Sequence, residues 1–224
     1  MLANREKLNT LTQMGLLTGI MIVMSFTPLG YLSLGFMNAT TMHVPVILGA
    51  CLLGPKKGAV LGGLFGITSV VRATLEPTIT SFVFTPFYSL NENFHGSWVS
   101  LIVAIVPRVC IGFVAGLVFE ALYKALKKPA PALLCAGIAG SLTNTIGVMG
   151  LIYLLFGEQY AAATEQAADL LLFAIMSVVC INGIPEAIIA ALLTLAVGKA
   201  LLLATGKLKR QPHYQPKTEP ATQD

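Results

Sequence analysis

The 224 residues are 55% hydrophobic and 11% charged, with a mean hydropathy of +0.79, whereas soluble globular domains carry about a quarter charged residues. Such a chain is neither disordered nor a disulfide-stapled secreted domain; it is expected to be an integral membrane protein. A hydrocarbon core about 30 Å thick takes about 20 residues of helix per crossing, which leaves room for roughly six crossings and none for a separate soluble catalytic or nucleotide-binding domain.

The first apolar run, residues 8–26, stops at Thr27-Pro28, where proline and its effect on the preceding residue end helices. It shows no small-residue cleavage pattern, so a first span is expected and not a cleavable signal peptide. A Gly/Tyr/Ser segment over 29–36 follows. The second run, 38–53, contains Pro45 and ends at Gly54-Pro55-Lys56-Lys57, which predicts a short, irregular crossing. The third, 58–75, carries Gly58, Gly62, Gly63 and Gly66, residues that let helices approach closely. Residues 76–97 form a long polar and aromatic connection with Pro77, Pro86 and Gly96. The fourth, fifth and sixth spans are read over 98–122, 132–156 and 170–203. The fold class is therefore all-α, a six-helix membrane bundle over 1–206. Pro212, Pro216 and Pro220 in a polar sequence predict a disordered cytoplasmic tail over 207–224. Cys51, Cys110, Cys135 and Cys180 fall in apolar runs without CxxC spacing and read as packing residues.

Orientation follows from the lysines and arginines. Of the fourteen, all but Arg72 and Arg108 lie on one side of the spans. The opposite connections carry Glu76, Glu92, Glu158, Glu165 and Asp169 and no basic residue. Both termini are expected in the cytoplasm, and the net charge of +4 reflects this asymmetry and not nucleic-acid binding.

Arg72 and Arg108 lie within spans, where an ionisable group marks a functional site unless it is paired or faces water. Counted from the basic ends of their spans, Arg72 is about 21 Å up, Arg108 about 24 Å, Asn144 about 18 Å and Glu186 about 20 Å. Four spans thus put polar residues into one layer in the outer half. Two arginines against one membrane glutamate leave surplus positive charge, and an anionic ligand would complete the site; pairing inside the bundle, such as Glu186 with Arg108, is the structural alternative. Arginine's planar fork suits a carboxylate, and Asn144 and Asn182 suit amide or hydroxyl groups. The connection 76–97, with Phe82, Phe84, Phe87, Tyr88 and Phe94, reads as a lid or binding loop in which Phe84 and Tyr88 are candidate ligand contacts; aromatic side chains resting at the membrane interface are the other reading. His43 and His95 stand alone, and neither metal nor cofactor is expected.

The sequence contains no GxxxxGK[ST], HExxH or GxSxG, and no pair of membrane aspartates. No second matching half suggests a transporter of inverted repeats. A small binding bundle that draws energy from a partner is left, with an integral-membrane enzyme using Glu186 as base and a non-catalytic scaffold as competing classes.

Residues 38–57, Pro107-Arg108 followed by Gly112 and Gly116, Ser141-Leu142-Thr143-Asn144-Thr145, and Asn182-Gly183-Ile184-Pro185-Glu186 together resemble the substrate-binding S components of energy-coupling factor (ECF) vitamin transporters. The likeness runs from about residue 8 to 203. It implies a non-catalytic six-helix subunit of a bacterial cell membrane that joins a transmembrane coupling protein and two cytoplasmic ATPases, and topples to release its vitamin inward. Such subunits meet the coupling protein through an alanine-x-x-x-alanine face on the first helix; Gly15 and Gly19 occupy that spacing here, keeping a flat small-residue face although departing from the alanines. The sequence is most similar to the pantothenate-specific members in 38–57 and 78–86. Pantothenate offers a carboxylate, an amide and hydroxyls. Folate, biotin, pyridoxine and hydroxymethylpyrimidine remain alternative substrates; the last two are neutral and leave the arginines unexplained.

Overall fold

The computed structural model describes residues 2–33, 38–91, 94–164 and 170–205; the tail expected over 207–224 lies outside them. Seven α-helices follow one another: α1 (Leu2–Ser25), α2 (His43–Leu53), α3 (Pro55–Leu75), α4 (Ser100–Leu126), α5 (Pro129–Ala163), α6 (Leu171–Val178) and α7 (Ile184–Ala204). A π-helical turn, Val179–Gly183, joins the last two into one apolar stretch. Strands β1 (Tyr31–Ser33) and β2 (Asn38–Thr40) pair antiparallel before α2, and β3 (Ser89–Asn91) and β4 (Phe94–His95) pair before α4. Among the described residues five stretches are long and apolar enough to cross a membrane: Leu8–Ser25, Pro55–Leu75, Ser100–Leu126, Pro129–Ala163 and Leu171–Ala204. The protein is an all-α membrane protein with two small hairpins on its connections.

The second run is short and irregular, as its Pro45 and Gly54 imply. Residues 38–53 divide into β2 and α2, and α2 has only 11 residues, about 16 Å of helix and half of a hydrocarbon core. Pro45 sits in its first turn, where a missing N–H leaves no broken bond. Every residue from His43 to Leu52 is buried, so α2 is a central post in contact with protein on all sides. Gly54 then turns the chain at φ 93°, a backbone conformation that favours glycine, and Pro55 opens α3.

The other boundaries shift for local reasons. Helix α5 continues past the expected end at Phe156, where the backbone leaves helical geometry (φ −133°, ψ 15°) before resuming to Ala163. The sixth run, Leu171–Ala204, is displaced by one residue from its expected limits, with the π turn inside it.

Glycines set the packing of α3 on α4. A Cβ on Gly62 would collide with the carbonyl of Arg108, one on Gly112 with the carbonyl of Gly58, and one on Gly66 would lie 2.9 Å from Ile105 Cα. Gly58, Gly62 and Gly66 recur every fourth residue on one side of α3 and bring the two backbones into contact. Below this seam lies an aliphatic core that includes Leu17, Met21, Ile47, Leu61, Ile111 and Leu133. Above it Phe82, Val83, Val103, Val148, Ile152 and Phe156 form a second core. Phe82 belongs to the connection 76–97 yet is fully buried, with Phe94 at 6.0 Å and Phe156 at 6.3 Å between ring centroids. The middle of that connection is thus a wedge driven into the bundle.

Replacing Gly62 by leucine should force α3 off α4 at a cost of at least about 1–3 kcal/mol, the usual range for overpacking. Thermal unfolding in detergent should show a lowered midpoint for Gly62→Leu. Gly15→Leu, at a position where a built Cβ would meet no other element among the described residues, should not lower the midpoint.

Candidate solute-binding site

A cavity of about 530 Å³ opens at the basic-free end of the bundle, within the usual size range of small-molecule sites. Its wall collects Arg72, Phe84, Arg108, Asn144, Asn182 and Glu186 from α3, the 76–97 connection, α4, α5, the π turn and α7. Thr40, Phe65 and Ser69 also line it, and the sequence reading did not single them out. Phe65, Ser69 and Arg72 fall at i, i+4 and i+7 on α3, so one helical face delivers all three. That periodicity was available in the sequence; nothing there marks the backbone of Thr40.

Arg108 is one of the buried members of the wall. The residue is 8% exposed, and its Nη1 donates to the Val103 carbonyl at 2.9 Å. Its Cζ lies 5.6 Å from the centroid of Phe65 and 5.4 Å from that of Phe84. Ring faces at such distances attract a cation through their quadrupoles, more strongly where water is excluded. The guanidinium is therefore held by two rings and a carbonyl in the cavity wall.

Arg72 has a different setting. It lies in the last turn of α3, its side chain is 28% exposed, and Nε meets Glu76 Oε2 at 3.2 Å. Glu76 is 58% exposed, so this pair stands at the mouth in contact with solvent, where ion pairs contribute little. Arg72 and Arg108 thus occupy the rim and the interior of one cavity.

Three further groups complete the polar wall. Glu186 is buried in the first turn of α7, and its Oε1 accepts the Thr40 N–H at 2.7 Å. This bond ties the β1–β2 hairpin to α7; Thr41 Oγ1, donating to the Leu29 carbonyl at 2.6 Å, holds the same hairpin closed at its base. Asn144 is buried, and its Oδ1 has no hydrogen-bond partner among the described residues. Asn182 reaches the wall from the π turn, a local widening that often accompanies functional sites. Behind the wall, both ring nitrogens of His43 and the Ser141 hydroxyl are buried and likewise without partners among the described residues.

Tyr88 is placed elsewhere. It is half-buried against the Phe82 core and does not line the cavity. His95 is exposed in β4. Gly15 and Gly19 are exposed on α1, about 140° and 180° around the helix from the direction of Leu17 and Met21, which face the core; a Cβ built on either meets no other element among the described residues. A second cavity, about 640 Å³, lies at the basic end between α1, the end of α2, the start of α3, α4 and α7. Its Glu120 faces Lys124 at 4.0 Å with both side chains well exposed, and solvated charges of this kind discriminate weakly between solutes.

The site is a buried cation flanked by aromatic faces, with amide and carboxyl groups around it, inside a small bundle of membrane helices. The chain belongs to the family described as ECF transporter, substrate-specific component, which matches residues 9–198. It is 35% identical over 165 residues to the pantothenic acid transporter PanT of Lactococcus lactis subsp. cremoris, covering 74% of this chain and 78% of that one. It is 28% identical over 185 residues to the pantothenate transporter PanT of Leuconostoc mesenteroides subsp. mesenteroides, covering 78% and 82%. It is a multi-pass bacterial membrane protein and a transporter subunit.

The Thr40–Glu186 bond is open to a direct test. Glu186→Ala deletes the acceptor, and losing such a bond costs about 1–1.5 kcal/mol. The Thr40 amide should then exchange with deuterium about tenfold faster than in the wild type, while amides in the Phe82 core keep their rates.

Proposed function

We propose that the chain is the pantothenate-capturing subunit of an ECF transporter. The observation that carries this reading is Arg108, a permanent cation buried in the cavity wall between Phe65 and Phe84. A carboxylate is the ligand group that best matches a guanidinium in a desolvated setting. Pantothenate places an amide and hydroxyls beyond its carboxylate, and Asn144, Asn182 and Glu186 stand ready to bond such groups. The names of the two relatives support the same choice. Arg72 and its partner Glu76 meet the solute first, at the mouth.

The β1–β2 hairpin and α2 together make one crossing, giving six in all. With lysines at the C-terminal end of α4 and at the turn into α3, both termini face the cytoplasm and the cavity opens outward. Phe84 and the hairpin cover the ligand, excluding water and strengthening the charge interactions beneath. Uptake depends on an ECF coupling protein and two cytoplasmic ATPases, and the outward face of α1 at Gly15 and Gly19 docks against the coupling protein. Small residues four apart allow close approach of another helix.

Two measurements test the reading. By calorimetry the wild type should bind pantothenate far more tightly than pantothenol, its alcohol analogue. Arg108→Ala should weaken pantothenate binding by roughly 2–5 kcal/mol, about thirty-fold to several thousand-fold, and erase most of the preference; Arg108→Lys should fail nearly as badly, because an ammonium lacks the planar fork. Equal binding of acid and alcohol by the wild type would rule out the carboxylate assignment. Separately, Gly15→Leu with Gly19→Leu should abolish pantothenate uptake in cells carrying the whole transporter while the purified subunit still binds its ligand. Normal uptake by that variant would remove α1 from the docking role.

A further inference from the structure

We propose that Pro107 is a positioning residue of the site: by removing one backbone N–H from α4 it gives the Val103 carbonyl to the Arg108 guanidinium and so orients the cation in the cavity wall. The inference rests on the reading of Arg108 as the carboxylate-holding group.

In an uninterrupted α-helix the carbonyl of residue 103 would accept the N–H of residue 107. Pro107 lies inside α4 and has no N–H to give. Val103 is fully buried, and Pro107 is buried with it, so water is not at hand to occupy the orphaned oxygen, and an unsatisfied carbonyl in an apolar interior is costly. The carbonyl is nonetheless bonded, to Arg108 Nη1 at 2.9 Å. Reaching back five residues requires the arginine side chain to run toward the start of α4, the direction in which helical side chains tilt. That is also the direction of the cavity mouth. One bond therefore answers two demands, those of an orphaned acceptor and of a buried cation.

The bond fixes the guanidinium before any ligand arrives. Phe65 and Phe84 stand beside it, their centroids 5.6 and 5.4 Å from Cζ, and a tie to the backbone restrains its rotation there. A preorganised fork binds a carboxylate without first losing its own freedom. Proline is the least favourable residue in a helix interior, so alanine at this position should suit the helix better and the site worse. Its N–H would bond the Val103 carbonyl along the helix axis. The oxygen keeps a second lone pair, but its alignment with the axis turns it away from the side chain, so affinity should fall without vanishing.

The test compares Pro107→Ala with Pro107→Val in the full-length chain. Both restore the N–H, and valine also fills much of the ring's volume beside Gly147, where a built Cβ would lie 3.1 Å from Pro107 Cβ. For each variant the thermal midpoint without ligand, the Kd for pantothenate and for pantothenol, and the rotation of the ¹⁵N-labelled Arg108 guanidinium by NMR are measured. Both should keep or raise the midpoint, bind pantothenate at least fivefold more weakly with pantothenol within twofold of wild type, and show faster guanidinium rotation. Wild-type behaviour of Pro107→Val, a lowered midpoint in both variants, or an equal loss for acid and alcohol would mean that the ring merely packs, and would overturn the proposal. If the wild type itself binds acid and alcohol alike, the carboxylate reading falls; the NMR measurement then decides the positioning alone, unchanged rotation refuting it and faster rotation upholding it.

Discussion

Much of this architecture answers to a charge that cannot be removed. A guanidinium stays protonated in any protein setting, so a helix that carries Arg108 into an apolar bundle must surround it with groups that tolerate a cation. The surroundings come from several directions. Helix α3 supplies Phe65, and it can stand close enough only because Gly58, Gly62 and Gly66 let its backbone touch that of α4. The connection before α4 supplies Phe84. The seam of glycines and the burial of an aromatic loop, which look like separate features of the fold, both bear on the same side chain.

That dependence explains why the connection over 76–97 is part core and part cover. Phe82 and Val83 are fully buried, and the Ser100 hydroxyl donates to the Phe82 carbonyl at 2.7 Å. A hydroxyl–hydroxyl bond of 2.7 Å between Thr74 and Thr85 ties the connection to the end of α3. With its middle anchored on two helices, the loop can present Phe84 at a set height above the arginine, which a loose loop could not do. The mouth has the opposite character. Arg72 and Glu76 keep part of their hydration, so they can meet a charged solute without the desolvation cost that the interior imposes.

The sequence disclosed the parts of this arrangement that depend on regular geometry. Prolines and glycines mark the helix ends, and because each helical residue rises by a fixed amount, counting along the spans is enough to set Arg108, Asn144 and Glu186 at one height. Pro45 and Gly54 announce that α2 is short, but hydropathy does not reveal that it is wrapped in protein, since a helix wrapped in lipid is equally apolar. Irregular segments carry no period, so nothing tells Phe84, which faces the cavity, from Tyr88, which packs beside Phe82. The π turn that delivers Asn182 leaves no mark in composition. The contribution of Thr40 is a backbone N–H, which every residue but proline possesses.

Helix α1 stands apart in this scheme. Its inner side joins the aliphatic core through Leu17 and Met21, and none of the residues lining the cavity belongs to it. The substitutions that would change which solute is held lie on α3, α4, α5, the π turn, α7 and the connections; those that would change the outward face of α1 lie on α1. The two sets share no position. Selection can therefore retune the chemistry of recognition while the surface offered to the rest of the membrane stays constant, and a lineage of such subunits could diverge in diet without diverging in company.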